Sequence, residues 1–244
     1  MSLHGTGPGT TVEYSLERLT PGRSGPYLSG APAPRVTGGG ISFASARLEL
    51  ALAVSGLGLS VFMLGHTGLL ATVLLGDDVF DTLAEFLERY YLLHAFVPFL
   101  VVLFLGHIFL AARKVPVAYS EQAALVRHAR SLGHFDTWAW AFQIFTGIAL
   151  AMLIAIHLWV ILTDTDLPIE AARSGSKITG KYLFFDAPFA VLVYTHMSAG
   201  LYRISVKWGI FGSAWAHRIL GVWTVAILSL SAVIILAFYR TGGG

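Results

Sequence analysis

The chain contains no cysteine among its 244 residues. That absence excludes disulfides, iron–sulfur clusters, thiolate ligation and covalent attachment of a prosthetic group through Cys-x-x-Cys-His, so any redox centre held here must use histidine. Charge is scarce too: Asp, Glu, Lys and Arg make up 12% of the residues against 55% hydrophobic ones, and the mean hydropathy is +0.69. A soluble domain of this length does not need so much apolar surface to fill its core, so a bilayer is the expected solvent. The net charge of +2 is not gathered into a basic stripe, which leaves nucleic-acid binding without support. Nor does the chain open on a short charge-flanked apolar stretch with a small-residue cleavage site. The first spanning segment is therefore expected to act as the insertion signal, with the N-terminus retained.

What is present falls into an arm and five apolar segments. Residues 1–40 are rich in Gly, Pro, Ser and Thr, as in GTGPGTT and GPYLSGAPAPRVTGGG, and lack the apolar content to fold alone; a flexible arm is expected. Apolar stretches follow at roughly 46–74, 90–112, 137–163, 184–208 and 214–239. Each is near or above the ~20 residues that cross ~30 Å of hydrocarbon, which predicts an all-α bundle of five transmembrane helices. Pro98 and Pro188 fall inside the second and fourth, where they are candidates for kinks, Pro188 alternatively marking a first turn.

Positive charge accumulates on the cytoplasmic side of membrane proteins. Arg18, Arg23, Arg35 and Arg47, then Arg113, Lys114, Arg127 and Arg130, then Arg203, Lys207 and Arg218 all fall on one side of a five-span chain, eleven of the 16 Lys and Arg residues. Arg89, Arg173, Lys177, Lys181 and Arg240 fall on the other, beside most of the acids. The N-terminus is expected in the cytoplasm and the C-terminus outside.

Histidine is costly in lipid, so His66, His107, His157 and His196, one in each of the first four segments, form a functional hypothesis by default. Neutral imidazole is a good ligand for haem iron. The alternative is that each ring bonds a carbonyl or hydroxyl on a neighbouring helix. Depth limits the pairings, because two ligands of one iron must lie at the same level while consecutive helices run in opposite directions. His66 and His157 both lie towards the outer ends of outward-running helices. His107 and His196 lie nearer the cytoplasm on inward-running ones. Bis-histidine ligation leaves no open position and suits electron transfer.

Gly65 and Gly106 each precede a candidate ligand and Gly200 lies four residues after another, small residues that admit either a flat macrocycle or a packed helix. Arg203 and Lys207 lie seven and eleven residues after His196, on a face suited to haem propionates or to a positive anchor at the membrane surface. A competing set pairs His94 with His107 along one helix, thirteen residues apart, but no second helix carries a matching pair. His94, His134 and His217 are read as interfacial, and His4 and His128 as loop residues.

The runs SVFMLGHTGLLATVLLGDDV around His66, GHIFLAARKVPVAY around His107, GHFDTWAWAFQIFTG through IHLW around His157, and THMSAGLYRISVKWGIF around His196 resemble one family. It is the dihaem cytochrome b subunit of quinol:fumarate reductase and succinate:quinone oxidoreductase, and the likeness spans most of residues 50–212. It implies that residues 41–244 form a five-helix domain with two haems b stacked across the inner or plasma membrane, His66 and His157 on the distal haem, His107 and His196 on the proximal one. It further implies a flavoprotein subunit carrying FAD and an iron–sulfur subunit docked on the cytoplasmic face, menaquinol as substrate, and electrons passing between quinone and the partner clusters. No dicarboxylate chemistry would occur in this chain. Dimers of the whole complex are common in the family.

By the same resemblance Glu88 matches the carboxylate that serves as a quinol-site base, with Glu85 one turn earlier as a substitute, a suitable role because a quinol loses protons as it loses electrons. Trp140 and Lys207 match positions near haem propionates. The sequence departs from the pattern at Tyr194, where a fumarate reductase of this family has a proton-carrying glutamate, and at Leu52 and Ala53, where it has polar side chains for a propionate. Transmembrane proton transfer by that route is thereby in doubt, and the direction of electron flow stays open. The other readings are a dihaem cytochrome b of a membrane hydrogenase or formate dehydrogenase, with its partner outside, and a haem-free transporter or structural anchor.

Overall fold

The computed structural model describes residues 43–133, 135–163, 169–179 and 183–242. The expected arm at 1–40, Lys181 and His134 lie outside the described residues. Among the described residues the regular structure is entirely helical. Five long helices follow the apolar stretches to within about three residues at most ends: α1 (Phe43–Ala71), α3 (Leu92–Ala112), α5 (Phe135–Thr163), α7 (Leu183–Lys207) and α8 (Ser213–Gly242). Three shorter ones, α2 (Asp77–Arg89), α4 (Tyr119–Leu132) and α6 (Ala171–Lys177), occupy what sequence periodicity left as loops.

α1, α3, α5 and α8 are long and apolar enough to cross a membrane. Their outward faces carry large apolar side chains with no protein partner, such as Val102 (70% exposed), Phe109 (71%) and Val222 (73%), which hydrocarbon would cover. α7 differs. Its 25 residues rise about 37 Å, but Asp186, His196, Arg203 and Lys207 dilute its hydropathy. It packs against α1, α5 and α8 and buries Val193, Tyr194, Met197, Ser198 and Tyr202. A polar helix is tolerated here because its neighbours, rather than lipid, surround it. The whole is a helical membrane bundle.

The connections shape the ends of the bundle. α1 runs on into a 3-10 turn at Thr72–Leu75, and Gly76, at φ +128°, reverses the chain into α2, a conformation open to glycine alone. α2 is amphipathic. It turns Phe80 and Ala84 inward against Val73, Ala171, Ile234 and Phe238, with the rings of Phe80 and Phe238 edge to face at 5.2 Å. α6 packs between α2 and α8, so these two short helices close one end of the bundle. At the other end Gly133, at φ +61°, separates α4 from α5. Pro98 sits inside α3 and Pro188 inside α7, in its second turn.

Candidate functional site

A cavity of about 1840 Å³ runs between the long helices, and its wall includes His66, His107, His157 and His196 together with Glu88, Trp140, Arg203 and Lys207. Ordinary ligand pockets hold ~300–1,000 Å³, so there is room for more than one bulky group. The histidines meet in twos: His66 lies within electrostatic range of His157, and His196 within range of His107. Among the described residues no group of three or more His, Asp or Glu donors that could hold a metal ion forms.

The His107/His196 pair is held by hydroxyls. Nδ1 of His107 lies 3.0 Å from Ser55 Oγ, and Nδ1 of His196 lies 2.9 Å from Thr146 Oγ1. Each hydroxyl already donates its proton to a carbonyl of its own helix, Ser55 to Leu52 at 3.0 Å and Thr146 to Phe142 at 2.8 Å. With those protons on the carbonyls the imidazole is the donor in both contacts, a tautomer assigned from the hydrogen-bond arrangement in which Nδ1 carries the proton and the Nε2 lone pair is free. The carbonyl of Gln143 also faces His196 as an acceptor. Two glycines make the space: a Cβ on Gly56 would stand 3.2 Å from Cε1 of His107, and one on Gly147 the same distance from Cε1 of His196.

The His66/His157 pair is held by aromatic rings. Phe62, one turn before His66, stacks on it at 5.6 Å with planes 19° apart, and Phe189 lies against His157 at 5.3 Å. Between the two pairs, Tyr194 donates to Thr67 Oγ1 at 2.6 Å, since Thr67 gives its own proton to the Met63 carbonyl at 2.6 Å. The hydroxyl that replaces the expected glutamate is thus buried and fully engaged.

Of the three glycines named from the sequence, only Gly200 lines the cavity. A Cβ on Gly65 or Gly106 would meet nothing within 4 Å, and neither residue lines the cavity. Successive helical residues are turned by about 100°, so the neighbour of an inward histidine points aside. The small residues that matter lie on the facing helices. Gly200 does line the cavity, where the Gln143 amide would be 2.8 Å from its Cβ. His217 packs instead beside Phe135 at 4.3 Å, away from the cavity.

At the end beyond His107 and His196, Glu49 bridges two helices, pairing with Lys114 at 2.5 Å and with Lys207. Arg203 feels the same carboxylate and donates to Gln143 Oε1 at 3.1 Å. Leu52 and Ala53 line this end as apolar residues, and Trp140 is half-buried there. Lys114, Lys207 and Arg203 thus face Glu49, while Asp136, which accepts from Tyr202 at 2.6 Å, is a second carboxylate of the cavity wall. Glu49 and Lys114 were not singled out from sequence, because one is a lone acid in an apolar helix and the other an ordinary surface lysine.

At the opposite end Glu88 lines the cavity, and its Oε1 accepts from the Ile169 amide at 2.9 Å. Asp81, two turns earlier on α2, accepts from Ala171 N at 2.7 Å. Together they tie the chain entering α6 to α2. Glu85 lines the same end but is exposed.

The chain is similar to known membrane subunits. Residues 120–238 match the family model described as the succinate dehydrogenase/fumarate reductase transmembrane subunit. The fumarate reductase cytochrome b subunit of Helicobacter pylori is 32% identical, the match covering 68% of each chain, and that of Wolinella succinogenes is 31% identical with the same coverage. Four long apolar helices, a polar fifth enclosed by them and a likeness that covers two thirds of such subunits lead to one conclusion: this chain belongs to the family of succinate dehydrogenase/fumarate reductase transmembrane subunits, as a multi-pass membrane subunit of an oxidoreductase complex.

Proposed function

We propose that the chain is the quinone-reactive, electron-carrying anchor of a fumarate reductase or succinate dehydrogenase, holding two haems b, one between His66 and His157 and one between His107 and His196. The observation that carries this is the seating of His107 and His196, each with Nδ1 against a hydroxyl and its ring in the cavity wall. A histidine serving only as a packing hydrogen bond has no need of a second nitrogen left bare in a cavity, whereas an axial ligand needs a donor fixed at Nδ1 and an open Nε2. The cavity volume and the two-by-two grouping fit a pair of flat macrocycles. Bound haem would supply an iron that accepts and passes on single electrons without binding substrate.

The chain's own residues then do the rest. Ser55 and Thr146 orient one pair of rings, and Phe62 and Phe189 the other. Lys114, Lys207 and Arg203, gathered around Glu49, would be the partners of haem propionates, with Trp140 beside them. Glu88, at the other end, is the proton acceptor for menaquinol; leaving the Ile169 amide frees an oxygen for the quinol hydroxyl. α7 is the fifth span, the Glu49 end faces the cytoplasm as the Lys and Arg distribution indicates, and the flavoprotein and iron–sulfur subunits dock there. The test is the absorption spectrum of the purified chain, oxidised and dithionite-reduced, with extracted haem counted. Two low-spin haems b per chain are expected. A colourless protein would return the histidines to packing and sink the proposal.

A further inference from the structure

Asp186 lies in the first turn of α7, half-buried in the cavity wall, and among the described residues it makes no hydrogen bond or ion pair. Asp186, Phe189, Val193 and His196 all line the cavity at spacings of three, seven and ten residues, so they share one face of α7. Phe189 packs on His157, which places Asp186 one turn, about 4.5 Å of rise, further along that face on the side away from His196. Glu85, Glu88 and Arg89 from α2, Tyr91 just beyond it, and Arg173 and Lys177 from α6 line the same cavity, at the end where those helices close the bundle. A lone carboxylate held among apolar side chains costs stability and is kept in a membrane segment where function requires it.

We infer that Asp186 is the second proton acceptor of quinol oxidation, and this rests on the reading of that end as the quinol site. A quinol becomes a quinone by losing two electrons and two protons from hydroxyls on opposite sides of its ring. One carboxylate accepts one proton. Glu88 takes the proton of one hydroxyl as its O–H bond breaks, and Asp186 takes the proton of the other. The two electrons would pass to the haems that the four histidines would hold, and both carboxylic acids then release their protons to water. In the reverse direction the same two groups donate.

The experiment uses the complete complex with the single substitutions Asp186→Asn, Asp186→Glu and Glu88→Gln, and reads three quantities. These are haem content, kcat and KM for a soluble menaquinol analogue, and the protonated-carboxyl bands in the infrared difference spectrum on quinone reduction. Asp186→Asn is expected to keep both haems, to lower kcat by about 100-fold with KM little changed, and to remove one carboxyl band; Asp186→Glu is expected to restore most of the rate. Unchanged turnover and bands in Asp186→Asn, with Glu88→Gln inactive, would overturn the role of Asp186 and leave the quinol site standing. Loss of haem from Asp186→Asn would also overturn it, assigning the residue to the fold. Normal turnover in Glu88→Gln would instead remove the quinol site from this end altogether.

Discussion

The two histidine pairs occupy one cavity yet are held by different forces. His107 and His196 each donate Nδ1–H to a hydroxyl whose own proton is already committed, and each ring lies against a glycine. His66 and His157 lean on phenylalanine rings. A hydrogen bond selects one tautomer and one ring orientation, whereas aryl packing excludes water and fills space but leaves the ring's rotation softer. The better-oriented pair lies towards the ion pairs of Glu49, and the softer pair towards Glu88 and Asp186, the end proposed as the quinol site.

The sharpest way to break this comparison is to remove the rings. His107→Ala or His196→Ala should each cost the same haem, one of the two, and His66→Ala or His157→Ala the other, seen as distinct losses in the reduced spectrum. A loss shared by His66 and His107 would mean that the pairing is wrong. Next in size are the hydroxyls. Ser55→Ala and Thr146→Ala should weaken retention of the neighbouring haem by about 10–100-fold, the usual consequence of removing an outer-shell partner, measured as the rate of transfer to a haem-scavenging apoprotein. Phe62→Leu and Phe189→Leu should do less; an equal effect would erase the distinction between the pairs.

Smaller still is Gly147→Ala. Its new methyl meets Cε1 of His196 at 3.2 Å, so the ring must give by a few tenths of an ångström and the low-spin electron paramagnetic resonance signal of that haem should shift. Gly106→Ala, which meets nothing within 4 Å, should leave both signals alone. The smallest expected effect is that of Thr67→Val, which removes the bond from Tyr194 and should cost about 0.6 kcal/mol in detergent unfolding, typical of a polar contact between membrane helices.

Much of this molecule is legible in its residues. The long helices follow from uninterrupted apolar stretches, since a chain in hydrocarbon has no other way to satisfy its backbone. The four histidines stand out because histidine is scarce and costly in lipid, yet one falls in each of the first four stretches. α2, α4 and α6 are not legible in the same way, for they are short and polar, and α6 is held by capping carboxylates from a distant helix, Asp81 on Ala171 N and Glu88 on Ile169 N. Ser55 and Thr146 escaped notice because a lone hydroxyl in an apolar helix usually bonds its own backbone, as both do; only the facing ring gives each a second use. Glu49 gained its meaning from Lys114 and Lys207, which lie 65 and 158 residues away along the chain.

The sequence by itself determined the solvent, the number of long helices and which four rings are candidates for iron, because hydropathy and the scarcity of polar groups in lipid are properties of single segments. Only the tertiary structure decided which hydroxyls face His107 and His196, which glycines lie against those rings, and that Asp186, half-buried in the cavity wall, has no partner among the described residues. Those depend on contacts between residues far apart in the chain, and local pattern carries no record of what a side chain will face.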